Sequence, residues 1–215
     1  MEDFETLLAR SVRHHGHLCP GQVIGVRMAM LGCRLIGIEE PRKEIKKLIV
    51  FVEIDRCATD AIAVVTGCKL GRRSLKFVDN GIMAASFLNL STCRAYRISA
   101  TEHSRELAKK YAPHMKSVQE SQLHAYRKMP ISELFKVEEV KIDLQRLDLP
   151  GPTRRKVVCE KCGETVRDGK EVLKDGRIFC RPCVGDTYFL TLKSFTSEEN
   201  GSAIVKENVS DLENF

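Results

Sequence analysis

The chain predicts an α+β fold with four or five strands and a small cysteine-rich module at its C-terminal end. Three observations lead there. First, 215 residues, 43% hydrophobic and 30% charged, suffice for one domain with a real core plus a small module. Second, short strand-like apolar runs alternate with stretches of helical periodicity. Third, four of the nine cysteines fall into two C-x2-C pairs near the end of the chain.

The elements read in order as follows. Residues 2–13 form a short amphipathic helix with Phe4, Leu7, Leu8 and Val12 on one side. A second helix starts at Pro20, where a missing N–H costs nothing, and runs to about Ile36. Val23, Ile24, Met30, Leu31 and Leu35 supply its buried stripe, and Gly21, Gly25 and Gly32 permit close packing at some cost in helix propensity. Residues 47–54 are almost continuously apolar, as in a strand buried on both faces of a helix-covered sheet. Ala58 to Val65 is helical and stops at Gly67, and Ser74 to Val78 is a second strand. Asp79-Asn80-Gly81 signals a turn. Met83 to Leu88 and Ala95 to Ser99 form a hairpin around Asn89-Leu90-Ser91. Helices follow at 102–110 and 116–128, and Phe135 to Ile142 makes a last strand.

Leu149-Pro150-Gly151-Pro152 breaks regular structure and marks a linker. The expected organisation is therefore a core at 1–148, a four-cysteine module at 155–195 and a polar tail at 196–215. No apolar run reaches the roughly 18 residues of a membrane helix. The acidic start Met1-Glu2-Asp3-Phe4-Glu5 lacks a signal-peptide core, so a cytoplasmic location is expected. In that reducing compartment cysteines point to metal or catalysis before disulfides. The net charge of +6 is spread out, with short clusters at Arg72-Arg73 and Arg154-Arg155-Lys156 and no tryptophan. A nucleic-acid interface would rest on these clusters and the zinc module alone.

Cys159-x2-Cys162 and Cys180-x2-Cys183 lie 17 residues apart, the four-thiolate pattern of a structural zinc site. Gly163 permits the knuckle that aims two sulfurs at one ion, and Val172-Leu173 with Arg177-Ile178-Phe179 suits a hairpin around Lys174-Asp175-Gly176. The pattern resembles treble-clef or zinc-ribbon modules. Such sites are closed, so the expected role is a staple or an interaction surface.

The densest chemistry lies in His15-Gly16-His17-Leu18-Cys19-Pro20-Gly21. Cys19 falls at a helix cap, where unpaired N–H groups favour a thiolate. Cys57 follows the buried strand, and ligands bind beyond the carboxyl ends of strands in open sheets. If the Pro20 helix packs beside that strand end, His17, Cys19 and Cys57 converge as three N/S ligands for zinc or another transition metal, with a fourth position open. Cys57 could instead be a buried hydrophobe, and His15 a hydrogen-bonding partner of a ligand or an exposed residue. Asp55 and Asp60 are candidate general bases or helix caps. Cys68 could line the pocket or pack at a helix end; Cys33 and Cys93 read as structural, and His103, His114 and His124 as surface residues.

His15-Gly16-His17-x-Cys19-Pro20-Gly21, Asp55-x-Cys57-x2-Asp60-Ala61, Thr66-Gly67-Cys68-x2-Gly71 and Asp79-x-Gly81 form a set with a family resemblance. Together they resemble the FmdE family, named for the E-subunit of formylmethanofuran dehydrogenase, across about residues 10–145. The resemblance implies a mixed sheet of about five strands in a thioredoxin-like core, and a metal site around the histidine–cysteine motif. It also implies, in some members, a C-terminal zinc finger and association with the molybdenum or tungsten enzyme that reduces carbon dioxide onto methanofuran. Ile82 departs from the lysine that often follows the Asp-x-Gly turn, which puts any substrate contact there in doubt. The core has no Cys-x-x-Cys, so a thioredoxin-like architecture would not mean disulfide exchange.

Three functions compete. The first is a metal-dependent accessory protein or subunit in molybdenum, tungsten or one-carbon enzymology, binding a small ligand. The second is a stand-alone zinc hydrolase or lyase with Asp55 or Asp60 as base. The third is a nucleic-acid module in which Arg154, Arg155 and Lys156 contact phosphates. A homodimer is expected where one surface must exclude water from the site.

Overall fold

The computed structural model describes residues 1–192. The expected tail at 196–215 and the end of the 155–195 module lie outside the described residues. The chain divides into two compact units, Met1–Pro152 and Thr153 onward.

The first unit is a five-stranded mixed sheet with helices on one face. Helices α1 (Phe4–His15) and α2 (Pro20–Leu35) precede strand β1 (Leu48–Val52), which is followed by α3 (Cys57–Thr66) and β2 (Leu75–Phe77). The hairpin β3 (Ala84–Asn89) and β4 (Ala95–Ala100) leads to α4 (His103–Tyr111), α5 (Val118–Lys128), the single turn α6 (Ile131–Leu134) and β5 (Phe135–Glu139). The strand order is β2-β1-β3-β4-β5. β1 pairs parallel with β2, as the α3 crossover requires, and antiparallel with β3, with Val50 opposite Phe87. α1 begins at an Asp3 cap whose side chain accepts from the Thr6 N–H, and α5 at a capping box between Ser117 and Glu120.

β1 divides its side chains between two cores. Leu48, Val50 and Val52 join the main core with α1, α2, α3, Phe87 and Ile98. Ile49 packs on the other face with Leu88 and Ala95, and Phe51, Val140, Ile142 and Leu144 close over it. The reading of β1 as buried on both faces holds, but the outer cover is not helical. β5 ends at Glu139 rather than at Ile142: the Val140 N–H still donates to the Ala95 carbonyl at 3.0 Å, and the residues after it turn to cover that face. The chain then reaches the far edge, where the Lys76 Nζ donates to the Asp148 carbonyl at 2.7 Å and Arg73 donates to the Leu147 carbonyl.

Two contacts fix the end of the sheet where the motifs gather. At Gly25 an added Cβ would lie 2.5 Å from the Ala58 carbonyl oxygen and 2.6 Å from the Ala61 Cβ, so only glycine lets α2 and α3 pack this closely. Beyond β1, the nearly buried Glu53 receives hydrogen bonds from Arg97 Nε at 2.7 Å, from the Arg97 terminal nitrogen at 2.9 Å and from Asn80 Nδ2 at 3.0 Å. The Arg97 guanidinium beside it, working against burial, holds the Glu53 carboxyl below its ordinary value. The Glu53 carbonyl takes the Ile82 N–H at 3.1 Å, which ties the Asp79–Gly81 turn to the strand end.

The second unit holds two hairpins, β6 (Lys156–Val158) with β7 (Thr165–Arg167) and β8 (Val172–Lys174) with β9 (Arg177–Phe179). The first of these is not legible in the sequence: each strand is three residues long and carries too few alternations to register.

Candidate metal centre

Two helix termini and the link between them build the site. α1 runs two residues further than the expected 2–13, to His15, and is capped by Gly16, whose φ of +96° suits glycine. The Gly16 N–H donates to the Val12 carbonyl and closes the last turn, which carries His15. The chain is extended at Cys19 (φ −144°, ψ 164°) and enters α2 at Pro20.

His15, His17 and Cys19 come together, with one ligand atom from each lying within 4.8 Å of the others. The two imidazole centroids are 4.6 Å apart with rings tilted by 39°. Nδ1 of His15 sits 2.8 Å from Oδ2 of Asp60 in α3, while Nε2 of the same ring is buried with no hydrogen-bond partner. If Nδ1 carries the proton and donates it to Asp60, Nε2 presents a bare lone pair. A carboxylate on one ring nitrogen and a free second nitrogen is the usual arrangement of a metal-ligating histidine. Buried polar atoms in proteins are as a rule satisfied, and Glu171 Oε2 is the one other buried side-chain nitrogen or oxygen without a partner among the described residues. The orphaned nitrogen and the N, N, S donor set therefore fit zinc or a similar transition-metal ion.

The sequence-predicted residues fall around this cluster. His17 and Cys19 belong to it. Cys57, the first residue of α3, does not join the group whose ligand atoms all lie within 4.8 Å, but it stands against Cys19. A Cβ on Gly21 would be 2.9 Å from the Cys57 Cβ and 3.7 Å from the Cys19 Sγ. Burial, together with a side-chain hydrogen bond to Cys19, pushes the Cys57 thiol up. Asp60 faces His15 and orients it. Asp55 is exposed and lines a cleft of about 460 Å³ that is also walled by His15, Cys57, Asp60, Leu70 and Phe77. Leu70 and Phe77 remain 64% and 46% exposed, which leaves an apolar wall open to a ligand. Cys68 and Cys33 are buried in the main core, where burial pushes the Cys33 thiol up to about 12. Cys93 is exposed in the β3–β4 turn. His103 is exposed on α4, and no helix is long and apolar enough to cross a membrane among the described residues.

His15 is the residue that sequence reasoning underrated. Its orienting partner is 45 residues away in the chain, so only the repeat His-Gly-His hinted at a second imidazole.

In the second unit Cys159, Cys162, Cys180 and Cys183 bring their sulfurs within 4.8 Å of one another. Gly163, at φ +77°, donates to the Cys159 carbonyl at 2.9 Å and forms the first knuckle. Cys183 donates to the Cys180 carbonyl at 3.2 Å in the second. Burial opposes ionisation of Cys159, but backbone N–H groups of Cys180, Cys162 and Lys161 outweigh it and bring that thiol to about 6. A hydrogen bond from its own thiol to the neighbouring Cys180 sulfur, then burial, pushes Cys183 up to about 12. Four sulfurs competing for protons in one small space are what a bound cation relieves. In the basic segment before them, Arg155 is tied to Glu171 at 2.7 Å, and the Arg154 and Arg155 N–H groups donate to Asp168.

Comparison with known proteins relates each unit to a known family. A family model described as FmdE, molybdenum formylmethanofuran dehydrogenase operon, matches residues 14–136. A model of the prokaryotic dksA/traR C4-type zinc finger matches residues 151–188. A probable S-adenosyl-L-methionine-binding protein of Archaeoglobus fulgidus is 28% identical over 204 residues, covering 85% of this chain and 53% of that protein. The chain thus spans about half the length of the curated relative it matches. A tungsten formylmethanofuran dehydrogenase FmdE-like protein from Syntrophus aciditrophicus shares the fold, with a TM-score of 0.57 at 19% identity over 88% of this chain and 96% of that one.

Proposed function

The chain belongs to the FmdE family, and on that premise we propose that its first unit is a metal-binding accessory module. It holds one transition-metal ion, zinc or a similar cation, on His15, His17 and Cys19 and presents it to a small ligand in the adjoining cleft. The observation that carries this reading is the His15 ring, held by Asp60 on one nitrogen and orphaned on the other. When bound, the ion supplies a Lewis acid at the cleft wall. Asp60 fixes the His15 tautomer, Cys57 adds a further sulfur donor beside Cys19, Asp55 offers a carboxylate to the ligand, and Leu70 and Phe77 shield its apolar side. The four-cysteine finger serves as a zinc staple for the second unit.

The family description and the Syntrophus protein's name support a setting in molybdenum or tungsten enzymology of one-carbon units. There the module would work beside the subunits of such an enzyme, as a monomer or a homodimer. The decisive experiment is a metal count per chain, with element identity, on the wild type, His15→Ala and His17→Ala. Two ions falling to one in both variants supports the proposal, and an unchanged count in either removes that histidine as a ligand.

The name of the Archaeoglobus relative favours a second reading of the ligand. S-adenosyl-L-methionine joins a sulfonium cation and an ammonium group to a flat adenine ring. Asp55 and Asp60 offer charge to the first two and Phe77 a face to the third. Calorimetric titration of S-adenosyl-L-methionine into the metal-loaded protein should give a saturable heat that Phe77→Ala abolishes. No heat in the wild type ends this reading.

A further inference from the structure

We propose that Gln22 is a positioning residue of the metal centre: one buried amide that ties together the three helices carrying His15, Cys19 and Cys57. The inference rests on the metal reading above. Gln22 is fully buried, one turn into α2 after Cys19. Its Oε1 accepts from the Ser11 hydroxyl of α1, and Ser11 is itself fully buried one turn before His15. Its Nε2 donates to the backbone carbonyl of Cys57 at 2.5 Å. The first residue of α3 is therefore held from α2, and the last turn of α1 is held through the same side chain.

A fully buried amide is costly to desolvate, and a leucine would fill the space without that cost. Nor is Gln22 needed to satisfy the Cys57 carbonyl, which belongs to the α3 hydrogen-bond ladder already. What the amide adds is direction. It has one acceptor and one donor end, Ser11 must donate to the first and the Cys57 carbonyl must accept from the second, so only one orientation of the three helices satisfies both. That orientation brings Cys57 beside Cys19 and sets the turn from which His15 projects. Residues that hold ligands in place in this way commonly control metal affinity without touching the ion.

The test is a competition titration of zinc against a chromophoric chelator on the full chain, in which the four-cysteine finger is an internal reference. Gln22→Leu keeps the volume and removes both hydrogen bonds. We expect core-site affinity to fall about tenfold or more, with finger affinity and far-ultraviolet circular dichroism unchanged. Cobalt loaded into the core after zinc has filled the finger should show shifted d–d bands, which a purely structural residue would not move. Should Gln22→Leu fail to fold, Ser11→Ala frees one end of the amide and should shift the cobalt bands in the same direction, with Ser11→Thr restoring them. Wild-type core affinity retained in the variants, with unshifted bands, makes Gln22 an ordinary core residue and overturns this inference alone. A wild type that binds no ion outside the finger overturns the metal reading and this inference with it.

Discussion

Replacing Asp60 by asparagine keeps the shape of the side chain and removes its charge. In the native protein Oδ2 lies 2.8 Å from Nδ1 of His15, and the negative charge favours the tautomer with a proton on Nδ1 and a bare Nε2. Asparagine can meet Nδ1 with either end of its amide. When the NH2 end faces the ring, the proton moves to Nε2 and the nitrogen needed for the ion is blocked. Partners of this kind contribute about 10- to 100-fold to metal affinity. The Asp60 side chain is 50% exposed, so water screens its charge and the lower end applies. The expected loss is therefore about tenfold, or roughly 1.4 kcal/mol. Competition with a chromophoric chelator reads it directly, and the finger should titrate unchanged. Equal core affinity in Asp60→Asn and the wild type, with the fold intact, would refute the claim that Asp60 acts through the ring.

Three further outcomes follow from the packing and the charges. Gly25→Ala forces a Cβ to within 2.5 Å of a backbone oxygen that cannot move aside, so α2 and α3 must separate; the cost should be about 1–3 kcal/mol, seen as a lower melting temperature, and an unchanged melt would contradict the close approach. The Glu53–Arg97 pair stabilises the fold with a carboxyl held below 4.5. Its contribution is complete above the unfolded value and is lost as pH falls through the lowered folded value, so Arg97→Met should flatten the acid limb of a stability–pH curve between about pH 4.5 and the wild type's acid midpoint. Chelation of the finger ion should unfold the β6–β9 hairpins while the first unit, with its own core, keeps its melting transition; spectral loss in both units together would argue that they are not separately stable.

Much of the sheet was legible because β1, β3 and β4 carry dense apolar patterns bounded by turn signals. Cys159, Cys162, Cys180 and Cys183 were legible for a different reason: ligands that come in pairs two residues apart need only one long-range meeting to make a cluster. What escaped was nonlocal. Val140, Ile142 and Leu144 alternate like a strand, and nothing in their pattern says that regular pairing stops while all three cover Ile49. The grip of Asp60 on His15 joins the last turn of one helix to the first turn of another. Neither helix pattern encodes it, since both residues lie off the apolar stripes. Gln22 shows the same blindness: a polar residue in a buried stripe reads as noise until its two partners are seen.

Strand β1, second in the sheet, bridges a parallel and an antiparallel neighbour while anchoring separate apolar clusters above and below. Peeling it away would disrupt both ladders and both clusters at once, so no partial opening frees it cheaply. Its amide protons from Ile49 to Phe51 therefore record only the complete collapse of the domain. Fraying of the ends or breathing of the cleft leaves that record untouched.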